Sequence, residues 1–201
     1  MILVVCALRA ELKYWKRRDG IEISEAGVGP VEAAAATARA LALTPYAAVV
    51  NAGIGGAFRD RGRVGDAVLV SGDALADLGL EGGAALDLPG GARLVDRQDA
   101  DPGLLQRCAG LGLQCGTGVT VSTVTTTDVT AERLRARYGA DVESMEGFSV
   151  LRAAALARVP ALQIRGVSNY VGDRSDAEWD FAAGARAVAA ALDAVLDRLI
   201  A

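Results

Sequence analysis

Residues 142–172 read VESMEGFSVLRAAALARVPALQIRGVSNYVG, and they carry the pattern of a strand, a helix and a second strand. Residues 140–144 predict a short strand, and the alanine- and leucine-rich run over 148–158 predicts a helix. Pro160 ends this crossover, and residues 161–167 predict the second strand. A connection of this length favours parallel strands. The stretch therefore predicts an α/β unit whose two strands run in the same direction.

Three polar side chains of this unit are predicted to meet at one edge of the sheet. Glu146 follows the first strand, Asn169 follows the second, and Arg165 lies just upstream of Asn169. Ligands of parallel α/β sheets bind at the carboxyl ends of strands. These residues form a candidate site. On their own, Asn169 is equally explained as a residue that caps a strand end, and Arg165 as a buried ion-pair partner.

The remainder of the chain alternates between predicted strands and helices. Strands are predicted at 2–6, 21–25, 47–51, 67–71 and 116–123, and helices at 31–43, 104–111, 128–138 and from 181 to the end. Residues 72–103 predict loops and short strands that cover a site. Ser175 with Glu178 matches a capping box before the last helix. This order predicts one three-layer α/β/α domain that covers residues 1–201.

Composition and charge exclude several classes of protein. The chain has 201 residues, 52% of them hydrophobic, with a net charge of −4 and a pI of about 4.9. An acidic chain without a basic block is a poor match for nucleic acid. The start of the sequence shows no signal-peptide pattern, and no apolar run reaches the length of a membrane span. We expect a cytoplasmic protein that binds neither nucleic acid nor membrane.

The absence of histidine limits the chemistry further. Ser-His-Asp and Cys-His catalysis and every histidine-ligated metal site are excluded, so acid–base work falls to carboxylates, amides, Arg, Lys or Tyr. The three cysteines, Cys6, Cys108 and Cys115, contain no CxxC pair, and we predict that they are reduced thiols in the core. No metal or organic cofactor is implied.

Three further features are compatible with a site. Glu11 lies just after the first strand, although an acid in a first helical turn is also explained by the helix dipole. The turn GVGP at 27–30 suits either an anion or a tight backbone turn. The run GIGG at 53–56 allows backbone to approach a ligand, or serves a turn with positive φ.

Ordered motifs carry a resemblance to a known family. NAGIGGAF at 51–58, VESMEG at 142–147 and RGVSNYVG at 165–172 follow Glu11 in this order. With these motifs the chain resembles the purine nucleoside phosphorylase/nucleosidase superfamily from its first strand to its last helix. The Met-Glu-Gly and Ser-Asn-Tyr-Val-Gly runs, with Trp179-Asp180 after them, resemble the futalosine hydrolase group in particular. The resemblance implies a central mixed sheet of the nucleoside phosphorylase/hydrolase type.

The resemblance also implies roles for particular residues. Glu11 takes the position of the glutamate that activates water, and Arg165 that of the arginine that helps hold the water and this glutamate. Met145 packs under the ribose, and Glu146 binds its hydroxyl groups. The loop below the sugar corresponds to Gly53–Gly56. We add the following residues of these motifs and their neighbours to the predicted substrate-binding set: Ile54, Gly55, Gly56, Thr123, Ser168 and Trp179.

Two residues differ from their counterparts in the adenine-directed nucleosidases of this superfamily. The resemblance also implies a cation that binds the carboxylate of the substrate. Ile54 stands where those enzymes have serine, and Asn169 stands where they have aspartate. Trp179 and Phe181 suit either the pocket for the 5′ group or a hydrophobic staple on the last helix. The 5′ side of futalosine carries an aromatic carboxylate, for which Arg174 is the candidate cation.

The amide of Asn169 favours a 6-oxopurine. Hypoxanthine presents two neighbouring acceptors, O6 and N7, and a carboxamide NH2 group offers two donors. Adenine presents a donor and an acceptor, which suit a protonated aspartate. A mismatch leaves buried polar groups unpaired, which costs about 1–3 kcal/mol. Asn169 is therefore predicted to stabilise the departing 6-oxopurine.

Together these features and the resemblance predict hydrolysis of the N-glycosidic bond of a 6-oxopurine nucleoside. The resemblance implies that this nucleoside is futalosine and that the reaction is a step of menaquinone biosynthesis. Three alternatives stay open at this level: an adenine-directed 5′-methylthioadenosine/S-adenosylhomocysteine nucleosidase, a phosphorylase that attacks with phosphate, and a nucleoside-binding protein without turnover. The predicted partner is a small-molecule nucleoside. The resemblance also implies a homo-oligomer, a dimer or larger.

Overall fold

The computed structural model describes residues 1–80, 86–172 and 179–200, and its centre is an eight-stranded sheet. The strands are β1 (Ile2–Cys6), β2 (Ile21–Glu25), β3 (Ala48–Ala57), β4 (Ala67–Leu75), β5 (Arg97–Asp99), β6 (Gln114–Thr120), β7 (Val142–Ser144) and β8 (Ala161–Tyr170). The helices are α1 (Pro30–Leu43), α2 (Pro102–Arg107), α3 (Asp128–Tyr138), α4 (Gly147–Leu156) and α5 (Phe181–Ile200). Short 3-10 turns occupy Arg9–Leu12 and Pro89–Gly91. The predicted mixed α/β fold with a central sheet is confirmed.

The sheet combines parallel and antiparallel pairs and curls back on itself. β1 runs parallel to both β2 and β3, and β8 runs parallel to β3. β7 pairs with β3 and β6, β6 pairs with β4, and β4 pairs with β8. Strands β3, β7, β6, β4 and β8 therefore form a closed ring, and β1, β2 and β5 extend from it.

The prediction that the strands of the 142–172 unit are parallel is wrong. β7 is antiparallel to β3, whereas β8 is parallel to β3, so β7 and β8 run in opposite directions. The length of a crossover allows parallel pairing but does not impose it, and here each strand pairs with a different part of β3. Val5 of β1 is opposite Asn51, and Glu143 of β7 is opposite Gly56. The carboxyl ends of β1 and β7 thus face each other along β3, on either side of residues 52–55.

The glycine run lies inside a strand and not in a turn. β3 was predicted to end at residue 51, but it continues to Ala57. None of Gly53, Gly55 and Gly56 has a positive φ. These glycines are required because other atoms pack against their Cα atoms, as the site shows below. β4 and β8 are likewise longer than predicted, because apolar periodicity does not reveal strand residues that are polar or glycine.

Helices cover both faces of β8. Successive side chains of a strand point to opposite faces. A Cβ on Gly166 would overlap the backbone of Gly184 in α5, so α5 packs directly on that face. The opposite face carries Gln163, whose amide lies against Gly147 at the start of α4. This arrangement puts Gln163 between the sheet and the start of α4.

Several smaller predictions have mixed outcomes. Cys6 and Cys108 are buried free thiols, but Cys115 is exposed at the start of β6, so its placement in the core was wrong. The predicted capping box of Ser175 and Glu178 lies outside the described residues, as does Arg174. Within them, the Asp180 carboxylate accepts the N–H of Ala183 at 2.8 Å, in the first turn of α5. Across the described ranges, no helix has both the length and the apolar character that a membrane crossing requires.

Candidate active site

Glu11 is held where β1 ends and is 5% exposed. Its Oε2 accepts the backbone N–H groups of Ala7 and Leu8, both at 3.1 Å. Its Oε1 accepts the N–H of Ile54, also at 3.1 Å, from the part of β3 that neither β1 nor β7 covers. The side chain therefore joins the 3-10 turn after β1 to the glycine run of β3.

The hydrogen bonds of Glu11 leave room for one more donor. An ionised carboxylate has about four lone-pair directions, and three are taken by backbone N–H groups. Burial raises the pKa of Glu11 above its ordinary value, and the charge of Arg165 and the backbone donors oppose this rise. A carboxylate with a raised pKa and one open acceptor position is suited to take a proton from water.

Arg165 is fully buried on β8 and links two parts of the site. Its Nη2 donates to Oδ1 of Asn51, whose own amide donates to the carbonyl oxygen of Val5 at 3.0 Å. The same Nη2 lies 3.6 Å from Oε2 of Glu146. The ion pair that the sequence left as an alternative for Arg165 is thus present, with Glu146 as the partner. Asn51 fixes the guanidinium relative to β1.

Glu146 is also held by the turn at residues 27–30. Its Oε1 accepts the N–H of Gly29 at 3.1 Å, in the turn that begins α1. Gly27 and Gly29 have φ values of +93° and +101°, which side-chain-bearing residues rarely adopt. The sequence left this turn as either an anion site or a tight turn. It is both, and the anion that Gly29 holds is the carboxylate of Glu146.

Gly53 is a residue of β3 that lies between the carboxylate of Glu11 and the guanidinium of Arg165. A Cβ at this position would be 2.6 Å from Nη1 of Arg165, and 3.1 and 3.2 Å from the two carboxylate oxygens of Glu11. No side chain fits there without displacing the guanidinium. The absence of a Cβ at Gly53 therefore allows Glu11 and Arg165 to share one small volume.

Ser168 and Asn169 follow Arg165 on β8 by three and four residues. Asn169 is 8% exposed, and its Nδ2 donates to the carbonyl oxygen of Tyr170 at 2.9 Å. Ser168 Oγ lies 2.9 Å from Asn169 Oδ1 and 3.2 Å from the carbonyl oxygen of Gly55. A Cβ on Gly56 would be 3.0 Å from Asn169 Nδ2. One of the two N–H donors expected to face a purine is therefore already used within the chain.

The other predicted binding residues differ in how deeply they are buried. Met145 is half-buried between β7 and Glu146, and Ile54 is half-buried on β3. Thr123 is exposed after β6 and lines a cavity of about 580 Å³ with Thr125 and other residues. Trp179 is 46% exposed just before α5. The structure thus brings Glu11, Ile54, Arg165 and Glu146 into one cluster, with Ser168, Asn169, Gly55 and Gly56 beside it.

Two members of the cluster were missed in the sequence. Asn51 was assigned only to a strand end, although a polar residue after the apolar run AAVV was the available signal. Gly29 was seen as part of a turn, but nothing in the sequence indicates that its N–H meets Glu146, which lies 117 positions later. Both residues hydrogen-bond to charged side chains of the cluster, Gly29 to Glu146 and Asn51 to Arg165.

Comparison with known proteins identifies the class that this fold and cluster define. A family model described as the phosphorylase superfamily matches residues 15–201. The chain belongs to the phosphorylase superfamily, which confirms the resemblance found in the sequence.

Curated relatives narrow the similarity within the superfamily. The chain is 42% identical over 187 residues to a futalosine hydrolase of Streptomyces coelicolor, an alignment that covers 88% of this chain and 77% of the relative. It is 39% identical over 166 residues to a futalosine hydrolase of Thermus thermophilus, with coverage of 80% and 74%.

Solved structures share the fold over almost the whole chain. A 5′-methylthioadenosine/S-adenosylhomocysteine nucleosidase of Helicobacter pylori superposes with a TM-score of 0.85 at 16% identity, covering 98% of this chain and 97% of that chain. A futalosine hydrolase of the same organism superposes with a TM-score of 0.83, also at 16% identity and with the same coverage. At this identity the likeness concerns the fold alone.

Proposed function

We propose that the protein hydrolyses the N-glycosidic bond of futalosine, releasing hypoxanthine and dehypoxanthine futalosine as a step of menaquinone biosynthesis. The structural observation that carries hydrolysis is the buried Glu11, which accepts three backbone N–H groups and keeps one acceptor position open. The choice of futalosine rests on the curated relatives, which are futalosine hydrolases at 39–42% identity. The protein is accordingly an N-glycosidase.

The reaction needs a base for water and negative charge near the ribose. Glu11 takes a proton as the water oxygen forms a bond to C1′ of the ribose. The bond from C1′ to the purine nitrogen breaks, and its electron pair leaves with the purine. Glu146 binds the ribose hydroxyl groups, and its carboxylate stabilises the positive charge that develops on the sugar. The purine anion gains a proton through water, because the amide of Asn169 is not an acid, and Glu11 then releases its proton to water.

Arg165 orients both carboxylates in this scheme. Its guanidinium pairs with Glu146 and adjoins Glu11 across Gly53. The positive charge keeps the rise in the pKa of Glu11 smaller than burial alone would make it. Arg165 thereby favours the ionised form of the base, and it helps to hold the attacking water.

Asn169 stabilises the leaving purine by donation. One N–H of its carboxamide is available for O6 or N7, and a purine that takes both donors displaces the carbonyl of Tyr170. Further substrate contacts are assigned to Met145 under the ribose and to the backbone near the glycine run. The complete proposed binding set is Met145, Glu146, Ile54, Gly55, Gly56, Thr123, Ser168 and Trp179.

The same proposal includes the setting of the enzyme. The chain forms one domain over residues 1–201, acts in the cytoplasm on a small-molecule nucleoside and assembles as a homo-oligomer. Support for one domain comes from the continuous sheet, whose strands begin at Ile2 and end at Tyr170. Support for the cytoplasmic location comes from the sequence, and support for the nucleoside substrate and the homo-oligomer comes from the resemblance to oligomeric nucleosidases.

Phosphorolysis and adenine release are the competing reactions. A phosphate ion at the nucleophile position would meet the negative charge of Glu11, so the site favours water. Structural neighbours at 16% identity, which share the fold, are named 5′-methylthioadenosine/S-adenosylhomocysteine nucleosidases. Asn169 favours a 6-oxopurine over adenine because an amide cannot protonate N7.

The direct test is base release in phosphate-free buffer from futalosine, inosine and 5′-methylthioadenosine. We expect hypoxanthine from futalosine and little release from the other two. Adenine release from 5′-methylthioadenosine, with futalosine untouched, would contradict the assignment of Asn169. Turnover that starts only when phosphate is added would instead assign the protein to the phosphorolytic members of the superfamily.

A further inference from the structure

We propose that Asp73 is a positioning residue of this active site, which acts through Thr120 and Gln163 to hold Glu146 and Arg165 in place. The inference rests on the proposed function, because it concerns the same charged cluster. Asp73 lies on β4 and is fully buried inside the ring of strands. Nothing in the proposed reaction uses it directly.

Asp73 is the common partner of two hydrogen-bonded arms. Its Oδ1 accepts the hydroxyl of Thr120 at 2.7 Å, and its Oδ2 accepts the amide N–H of Gln163 at 2.9 Å. A buried carboxylate is costly unless it is hydrogen-bonded or paired. Burial raises the pKa of Asp73 to about 6, and the two hydrogen bonds, with the charges of Arg165 and Arg97, oppose this rise. The carboxylate is thus tied to β6 and β8 at once.

The first arm leads to Glu146. Thr120 Oγ1 donates to Asp73, and the same oxygen accepts the backbone N–H of Phe148 at 2.8 Å. Phe148 is the second residue of α4, and Glu146 immediately precedes that helix. The hydroxyl group therefore fixes the first turn of α4 against the sheet. Glu146 enters the site from this turn. Asp73 and Thr120 therefore determine where its carboxylate lies.

The second arm leads to Arg165. Gln163 and Arg165 are two residues apart on β8, so both side chains lie on the same face of the strand. Asp73 holds the amide of Gln163 at 2.9 Å, beneath the first residue of α4. Because the two side chains are neighbours on this face, fixing the amide of Gln163 restricts the space into which the side chain of Arg165 can move.

Two glycines show how closely the elements pack around Asp73. A Cβ on Gly147 would overlap Asp73 Oδ2 and the Gln163 amide, and a Cβ on Gly118 would also overlap Asp73 Oδ2. Gly147 opens α4, and Gly118 lies opposite Asp73 in the pairing of β4 with β6. The start of α4 thus packs directly against the carboxylate of Asp73. A change at Asp73 or Thr120 should therefore also move Glu146.

The test begins with Thr120→Val, which keeps the volume and removes the hydroxyl that joins Asp73 to Phe148. We expect kcat/KM for futalosine to fall by about 10-fold to 100-fold, as small misplacements of binding groups do. Thr120→Ser restores a hydroxyl and should recover most of this loss. Thr37→Val is the matched control, because Thr37 is a fully buried threonine of α1 outside the site. It should leave kcat/KM unchanged.

A double-mutant cycle separates positioning from general destabilisation. If Thr120 acts through Glu146, the loss of kcat/KM caused by Thr120→Val should largely vanish when Glu146→Gln is already present. The same change in an Asn169→Ala background should retain its full effect. Equal, additive losses in both backgrounds would overturn the proposal, as would a Thr120→Val variant with the activity of the wild type. Asp73→Ala, which removes both arms, should lose at least as much activity as Thr120→Val.

Amide hydrogen exchange tests the link without activity. Thr120→Val should speed exchange at residues 147–149 and leave the amides of β1 unchanged at a temperature where both proteins are folded. A wild-type protein that releases no base from any nucleoside would refute the proposed function on that observation alone. Exchange at residues 147–149 would still decide the link, because unchanged exchange in Thr120→Val would overturn it.

Discussion

Glu11 and Arg165 approach the same backbone atom, the Cα of Gly53, from two different elements. The position of an added Cβ is 2.6 Å from the guanidinium and 3.1 Å from the nearer carboxylate oxygen. The carboxylate comes from the 3-10 turn after β1, and the guanidinium comes from the middle of β8. The charge of Arg165 lowers the pKa of Glu11 and so favours the ionised carboxylate. The ionised form of the proposed base is therefore favoured by a residue that lies 154 positions away in the chain (165 − 11).

Gly53→Ala should damage both stability and activity. The new methyl group would overlap Nη1 of Arg165, so the guanidinium must move. Overpacking of this kind destabilises by about 1–3 kcal/mol, and the displaced charge should also lower kcat/KM. Thermal unfolding and base release measure the two effects. Gly62→Ala is the control, because its added Cβ would make only ordinary contacts, the nearest at 3.4 Å. Equal behaviour of the two variants would contradict this account.

Glu11→Gln should remove the base and keep most of the packing. The amide retains the size of the side chain and one oxygen for the backbone donors, but it cannot accept a proton from water. A loss of kcat of at least about 10²-fold is expected. Glu25→Gln is the matched control, since Glu25 is exposed and accepts only the N–H of Arg9, at 3.2 Å, among the described contacts. Near-normal turnover by Glu11→Gln would remove Glu11 from the mechanism.

The pH profile should show an acid limb above the ordinary range of glutamate. Glu11 works only when deprotonated, and burial raises its pKa above 4.5. Activity should therefore be full at high pH and fall as pH decreases through the raised pKa. Arg165→Gln removes the positive charge that opposes this rise, so its acid limb should lie at a higher pH than that of the wild type. A limb that stays in place, measured as kcat/KM against pH, would argue against electrostatic coupling of Arg165 to the base.

Asn169→Asp should change the preference for the purine. A protonated aspartate suits the amino group and N7 of a 6-aminopurine, and an ionised aspartate repels the two acceptors of hypoxanthine. A mismatch of about 1–3 kcal/mol corresponds to a change of roughly 10-fold to 100-fold in the ratio of kcat/KM values. The ratio is measured with futalosine and with the same nucleoside bearing an amino group at position 6. An unchanged ratio would show that Asn169 does not read this position of the base.

Local patterns in the sequence were sufficient for much of the fold. The apolar run Ile2–Cys6 and the helical periodicity of α1, α3 and α5 agree with the structure within one residue at most bounds. Each depends on the pattern of apolar residues along a single segment. The same local patterns predicted Glu11 just after a strand, and Arg165 and Asn169 near the end of the 142–172 stretch. In the structure Glu11 and Arg165 belong to one cluster, and Asn169 lies beside it.

Pairing across the chain was decided only by the tertiary structure. Three features depend on segments that are far apart in sequence. They are the direction of β7, the continuation of β3 through its glycines, and the hydrogen bond from Gly29 to Glu146. Gly29 and Glu146 are 117 positions apart, and Asn51 and Arg165 are 114. The sequence by itself determined which segments form strands and helices and which residues carry charge. Which of those charges become neighbours depends on register and packing in the closed ring, because hydrogen bonds and buried contacts form between whatever backbone and side chains the fold brings together.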